Sequence, residues 1–343
     1  MILEGFNPYL HTVESFINNG EFPVAQAQEL REGMGTLNAS HYTNYPPINQ
    51  ICFIIAGFFS GKSILGAAVV MRLLIILADF GTLYFGKRLL EKLKIPSYNI
   101  FWYILNPFII IELTGNLHFE GVMIFFLIWS LYLLYLGKWQ FAAVVLALSI
   151  SVKLIPLLFL PLFFQWFVKR NVIANKVLQS AKKEEITMSL PPRHAVMKGI
   201  TKLIGFYTIV FITTLLLFAP FYSPEFINNY TKTVALWFQN FEFNASLYYI
   251  AREIGYTFRG YNEISAIGKI IPIIVILITL ALTFFRKNKS MVQLITAMLL
   301  ALSAYYFTAT TVHPWYVATL LILSIFAKYK FPLVWSFVII LSY

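Results

Sequence analysis

Long apolar runs separated by short basic clusters most constrain what this chain can fold into. The 343 residues are 59% hydrophobic and only 12% charged, which is too apolar for a soluble domain. Several runs approach the ~20 apolar residues with which a helix crosses the hydrocarbon core of a bilayer. Because backbone amides cannot remain unpaired there, such runs fold as helices. The pattern therefore predicts an all-α, polytopic transmembrane helix bundle.

The basic clusters predict the orientation of this bundle. Lys and Arg concentrate in the cytoplasmic loops of membrane proteins. Eighteen of the 26 Lys and Arg residues share one side, provided that residues 47–60 do not cross. That run has only about half the length of a span, so it is predicted to lie in the interface or to re-enter it. The predicted crossings are then residues 64–86, 98–113, 122–136, 203–218, 266–285, 291–307 and 317–327.

The whole chain is predicted to be a single transmembrane domain with four parts. These are a large extracytoplasmic loop with the interfacial helix (1–63), a helical core (64–167), a cytoplasmic basic loop (168–202) and the C-terminal transmembrane helices (203–343). Residues 220–265 are interpreted as a mixed loop between two crossings.

Two charged features of the helical core have predicted structural roles. Arg72 and Asp79 are seven residues apart, which places them on one face of a helix, and we expect them to pair inside the bundle. Residues 139–168 form an apolar stretch interrupted by Lys153, Pro156 and Pro161. Because proline breaks helical hydrogen bonding, this stretch predicts two half-helices that meet near the outer surface.

The densest polar cluster lies in residues 106–120, NPFIIIELTGNLHFE, on the predicted outer side. Polar groups near bilayer depth are costly and usually functional. His118 and Glu120 could act together, one as a general base or phosphate-positioning group and the other as its orienting partner. Alternatively, these groups only cap the flanking helices. Glu112 fits a site residue and a structural pair equally well.

Several outer loops contribute further candidates for substrate binding. Lys153 could neutralise a lipid phosphate, or it could extend its ammonium group to the interface. The other candidates are His41, Tyr45, Asn116, Asn244, His313, Trp315 and Tyr316. Amides and carboxylates bind hydroxyls, and aromatic rings stack on sugar faces, so the set favours a carbohydrate headgroup on a lipid carrier. Tyr45 with its two following prolines could instead be architectural, and the 313–316 run could be an interfacial aromatic anchor.

Other site types are not indicated by the sequence. A single cysteine, Cys52, excludes an internal disulfide. No metal-ligand spacing occurs, so neither a protein metal site nor a cofactor is predicted. Gly61-Lys62-Ser63 is not a phosphate-binding loop, since Ala56 stands where its first glycine is required. The basic residues follow the membrane topology and do not indicate nucleic acid as a partner.

An ordered set of motifs resembles the GT-C membrane glycosyltransferases, especially bacterial mannosyltransferases that use polyprenyl-phosphate-mannose. The motifs are Asn7-Pro8-Tyr9, Tyr45-Pro46-Pro47, Arg72 with Asp79, Asn106-Pro107 with Glu112 and residues 115–120, and Lys153-Leu154-Ile155-Pro156. The resemblance covers roughly residues 1–165. It implies a polyprenyl-phosphate-linked hexose donor, with mannose as the hexose in this branch of the family, and a glycan or lipid acceptor. It also implies inversion at the sugar carbon on the outer face of the bacterial inner membrane.

The resemblance also bears on the catalytic acid. In the family the catalytic carboxylate lies just upstream of a Gly-x-Asn-Pro-Tyr element, which is Gly5-Phe6-Asn7-Pro8-Tyr9 here. A first transmembrane helix and an aspartate-bearing loop segment are therefore expected upstream and are missing from this sequence. Glu4 lies nearest to that position and is a catalytic candidate with His118 and Glu120.

Two other functions fit parts of the sequence. A transporter or flippase of a lipid-linked or small polar substrate would also have intramembrane charges and broken helices. It would need polar residues throughout the membrane depth and often two related halves, whereas the polar residues here crowd one face. A catalytically inactive, truncated relative of the glycosyltransferases is the second alternative.

Overall fold

The computed structural model describes residues 1–18, 20, 26–168, 192–239 and 241–342, and this part of the chain is a helical bundle without strands. One isolated β-bridge joins Phe243 and Thr311. The helices are α1 (Val13–Asn18), α2 (Ala27–Ala39), α3 (Pro47–Phe59), α4 (Ile64–Lys92), α5 (Phe101–Ile104), α6 (Pro107–Ile109), α7 (Glu120–Tyr135), α8 (Trp139–Ile150), α9 (Ile155–Val168), α10 (Pro192–Phe218), α11 (Pro224–Gln239), α12 (Leu247–Arg259), α13 (Ile264–Phe284), α14 (Met291–Thr308), α15 (Val317–Ile325) and α16 (Phe331–Val338).

Helix length and composition confirm the predicted fold class. Among the described residues, α4, α10, α13 and α14 are each long and apolar enough to cross a membrane. A π-helical turn, Ile110–Gly115, extends α6, and this segment is bent by 114° against α7, so the pair could form a fifth span. In the 18-residue apolar stretch of α14, 61% of the residues are buried inside the protein, compared with 11% in the corresponding stretch of α4. The bundle therefore has an interior helix and outer helices that expose apolar side chains.

The predicted crossing at residues 98–113 is wrong as a single helix. The chain there forms α5, stops at Leu105, and resumes as α6. Proline disfavours a helical conformation in the residue before it, so Pro107 breaks the run at Asn106. The Asn106 side chain stabilises the break because it accepts a hydrogen bond from the amide of Phe108 (3.0 Å) and donates one to Ser336 (3.2 Å).

Arg72 finds a partner inside the bundle, as expected, but the partner is backbone. Its guanidinium donates to the carbonyls of Thr114 (3.0 Å) and Gly115 (3.1 Å), at the end of the π-helical turn. Helix ends leave such carbonyls without intrahelical donors, so Arg72 stabilises the turn before the outer loop. The Oδ1 atom of Asp79 is buried and has no hydrogen-bond partner among the described residues.

Three loop or span predictions also need correction. Of the predicted 168–202 loop, Val168 ends α9, residues 169–191 lie outside the described residues, and residues 192–202 belong to α10, which begins at Pro192. The predicted 220–265 loop contains the helices α11 and α12. The predicted crossing at 317–327 contains only the nine-residue α15, which is too short to cross on its own.

The predicted break in residues 139–168 is confirmed. Helix α8 ends at Ile150 and α9 begins at Ile155, with Pro156 in its first turn. Lys153 lies in the gap between them. The amide of Ile48 in α3 donates to the carbonyl of Ser151 (2.8 Å), so the short helix that follows the first loop is attached to this break.

A buried glutamine joins α9 to the end of α13. The Gln165 amide donates to the carbonyls of Thr283 (2.5 Å) and Arg286 (2.6 Å) and accepts from the amide of Asn288 (3.1 Å). Gln165→Ala should lower the free energy of unfolding by about 2 kcal/mol, because buried backbone groups lose their partners. Thermal unfolding in detergent micelles checks this, with the exposed Gln140→Ala as control. Equal melting temperatures for the two variants would contradict it.

Candidate functional site

A large cavity opens among the N-terminal segment, α2, α3, α4, the α8–α9 break and the link between α14 and α15. Its volume is about 1380 Å³, which is larger than a typical small-molecule pocket. Its lining residues from α2, α3 and α4 are mostly apolar. Those around the α8–α9 break and the α14–α15 link, here called the polar end, include charged, aromatic and hydroxyl groups.

Three helices, α2, α3 and α4, supply many of the apolar residues that line the cavity. The α2 side chains Leu30, Met34 and Leu37 recur at helical spacing and line the cavity, although they are exposed on the surface of an otherwise polar segment. Residues of α3 and α4 form the facing walls. These are Phe53, Ile54, Gly57, Ile64, Ala67, Ala68 and Met71.

An ion pair between Lys153 and Glu120 marks the polar end. The ammonium of Lys153, in the α8–α9 break, donates to the carboxylate at the first residue of α7, and both side chains are mostly buried. Burial alone lowers the pKa of Lys153, but the adjacent Glu120 carboxylate outweighs it and leaves the pKa above its usual value. Lys153 therefore stays charged, and its ammonium also lies 5.6 Å from the centre of the Tyr45 ring.

Stacked rings form the wall beside this ion pair. The Trp315 ring stacks on His118, with ring centres 3.6 Å apart, and on His313, at 4.4 Å. Burial, the Lys153 charge and His313 lower the pKa of His118 to about 3. Burial and Lys153 lower the pKa of His313 to about 4. Both imidazoles are therefore neutral near pH 7 and can each offer one donor and one acceptor.

The first loop is fixed against the bundle by hydrogen bonds to its backbone. The hydroxyl of the fully buried Tyr9 donates to the carbonyl of Tyr45 (2.7 Å), and Gln50 donates to the same carbonyl (3.2 Å). Asn7 donates to the carbonyl of Phe221 (3.2 Å), and Asn229 in α11 donates to the carbonyl of Tyr9 (3.1 Å). The Asn7-Pro8-Tyr9 motif thus links the loop to α3 and α11 and sets the position of Tyr45.

Eight of the twelve predicted site residues line this one cavity. They are Glu4, His41, Tyr45, Glu120, Lys153, His313, Trp315 and Tyr316. Their segments are far apart in sequence, and the fold brings them to one cavity. Their chemical roles remain predictions.

The other four predicted residues are not among the lining residues of the cavity. His118 lies behind its wall, where it stacks on Trp315. Glu112 is fully buried within the π-helical turn, and Asn116 is exposed just after it. Asn244 adopts a left-handed conformation with φ 52° next to the bridged Phe243. Direct contact of these four with substrate is therefore not supported by their positions.

Gln50 and Thr319 are among the lining residues that the sequence reasoning missed. Both sit within apolar runs, PINQICF and VATLLIL. A single polar residue in the middle of an apolar helix was the available signal. Among the described residues, no group of three or more His, Cys, Asp and Glu side chains is placed to hold a metal ion.

A protein-family model matches the N-terminal part of the chain. Residues 1–170 match the model of the MptA_B family, described as alpha-(1->6)-mannopyranosyltransferase, N-terminal domain. A search of curated proteins found no match. The matched region contains Glu120 and Lys153, whereas His313, Trp315 and Tyr316 lie beyond it. Together with the apolar spans, the match supports a membrane mannosyltransferase.

Proposed function

We propose, because residues 1–170 match the model of the MptA_B family of mannosyltransferases, that the chain transfers mannose from a polyprenyl-phosphate-linked donor. The acceptor is a hydroxyl of a glycan or lipid. The reaction takes place on the extracytoplasmic face of a bacterial inner membrane and inverts the sugar carbon. The basic clusters at the opposite ends of the apolar runs support this orientation.

The observation that carries the proposal is that one cavity is lined both by apolar residues of α2, α3 and α4 and by the charged and aromatic residues of the polar end. A polyprenyl chain needs an apolar path, and a sugar phosphate needs charge and hydrogen bonds. The apolar residues of α2, α3 and α4 offer the first, with Leu37, Phe53 and Met71 among them. The end with Lys153 and the aromatic side chains offers the second.

Lys153 is proposed to bind the donor phosphate. A lysine ammonium is a compact cation with three donors, and the bond to Glu120 is the one hydrogen bond that it makes with the described residues. Glu120 holds the ammonium in place and is therefore proposed as a positioning residue. The neutral His313 and the ring of Tyr45 complete this end, where they can bind sugar hydroxyls or stack on the sugar ring.

Inversion needs attack from the side opposite to the phosphate. The acceptor oxygen forms a bond to the sugar carbon while the carbon–oxygen bond to the phosphate breaks, and the acceptor proton passes to a base. Glu4 and Glu120 are the two carboxylates among the lining residues of the cavity. Because Glu120 is paired with Lys153, Glu4 is the better candidate for the base.

Transfer from a defined donor tests the proposal. The full chain in lipid nanodiscs, supplied with radiolabelled polyprenyl-phosphate-mannose and mannan-type acceptors, should release polyprenyl phosphate and label the acceptor. The matched control donor is GDP-mannose, which lacks the lipid and should give no labelled product. If only the nucleotide donor is used, or if donor moves between leaflets without bond cleavage, the proposal fails.

A further inference from the structure

Helix α12 presents an apolar stripe that no described residue covers. Leu247, Ile250, Ile254 and Phe258 recur at intervals of three or four residues, so they lie on one face of the helix. Their exposed fractions are 51%, 60%, 54% and 81%. Such a row of large apolar side chains is costly in water and marks a contact surface.

One other face of α12 is attached to the protein. Tyr248 and Gly255 are buried, and Tyr248 packs with Ile271 and Val275 of α13 in a small apolar cluster. The Tyr248 hydroxyl donates to Glu242 (2.6 Å), which also binds Arg252 (2.6 Å). The side of the helix that carries the stripe is therefore fixed by these contacts.

The stripe continues onto a membrane-spanning surface. Helix α13, a candidate span, starts five residues after α12 ends. Its side chains Ile270, Ile273 and Leu277 are 53–61% exposed, as expected for groups that contact lipid. A short amphipathic helix next to the end of a span matches the pattern of helices that lie in the membrane interface.

The charges on α12 indicate that the stripe contacts lipid acyl chains and that the helix does not bind an acidic protein surface or anionic lipid headgroups. Arg252 pairs with Glu242 and Glu253, and Arg259 pairs with Glu263. Both arginines of the helix thus have carboxylate partners, which leaves apolar burial as the main source of binding energy.

We propose that α12 lies parallel to the membrane, in its outer interface, with the Leu247–Ile250–Ile254–Phe258 stripe among the lipid acyl chains. This placement does not depend on the sugar-transfer reaction. It bears on the cavity because Glu242 and Phe243 precede α12 directly. The amide of Phe243 donates to the carbonyl of Thr310 (3.0 Å), and its carbonyl accepts from Val312 (2.8 Å). The depth of α12 in the membrane therefore also influences the depth of the adjoining segment that carries His313.

A spin-label scan tests the placement. Cys52 is the one native cysteine, so single cysteines are introduced in a Cys52→Ala background and the full chain is reconstituted in phosphatidylcholine vesicles. Labels at Ile250, Ile254 and Phe258 should collide several-fold more often with dissolved oxygen than with a water-soluble nickel chelate. Matched labels at Glu253 and Tyr256, which are exposed and lie off the stripe, should show a smaller ratio.

Two results would overturn the proposal. One is a ratio that does not vary around the helix, or that favours the nickel chelate on the stripe, since the stripe then faces water. The other is dipolar broadening between stripe labels that increases with the protein-to-lipid ratio, since a second copy then covers the stripe. All scanned positions are exposed, so labelling should leave the fold intact.

Discussion

Lys153→Met is expected to abolish mannosyl transfer and to destabilise the protein by about 3 kcal/mol. The substitution keeps the length of the side chain but leaves the Glu120 carboxylate buried without its cation. It also removes the proposed phosphate ligand, and loss of one such electrostatic group lowers kcat by about 100- to 1000-fold. Unfolding in detergent and single-turnover transfer from polyprenyl-phosphate-mannose measure the two effects separately.

The double variant Lys153→Met/Glu120→Gln separates structure from function. With both charges gone, no unpaired buried charge remains, so most of the lost stability should return. Transfer should not return, because the proposed phosphate ligand is still missing. Lys62→Met is the matched control, since Lys62 is an exposed lysine that also lines the cavity. Recovery of transfer in the double variant would show that the ion pair is only structural.

Stability is expected to fall as the pH drops from about 6.5 towards 4. The pKa of His118 is lowered to about 3 and that of His313 to about 4 in the folded protein, from an ordinary value of 6.5. Below pH 6.5 the unfolded chain therefore takes up protons that the folded protein does not bind, which favours unfolding. Each ring contributes at most ~1.4 kcal/mol per pH unit in this window.

Thermal unfolding between pH 7.5 and 5 measures this slope, above the range in which most carboxylates titrate. The variant His118→Gln/His313→Gln should have a markedly flatter dependence, because it removes both imidazoles. His194→Gln, which replaces an exposed imidazole on α10, should keep the wild-type slope. If the double variant and the wild type show the same slope, the stacked histidines do not resist protonation.

Structural features that depend only on neighbouring residues in the chain were mostly predicted well from the sequence. The predicted span 291–307 agrees with α14, Met291–Thr308, and the span 266–285 agrees with α13, Ile264–Phe284. A sustained apolar run indicates a span by itself. The break around Lys153 was also predicted, since a proline acts on its own turn of helix. By contrast, the break at Asn106 interrupts a run that is apolar on both sides and was missed.

Relations between distant residues were decided by tertiary structure. The sequence gives no sign that Lys153 pairs with Glu120, 33 residues earlier, or that Trp315 stacks on His118. It grouped His118 with Glu120 because they are close in the chain, but the turn into α7 brings Glu120 to the cavity and places His118 behind Trp315.

The sequence by itself determined that this protein is a helical membrane protein, because hydropathy acts locally along the chain, and it predicted a set of polar residues that could form a site. Only the tertiary structure decided which of those polar residues share the cavity and which side of α12 is left uncovered. The physical reason is that a site and a contact surface depend on which helices pack together, and packing joins residues that are as far apart as Glu120 and Trp315.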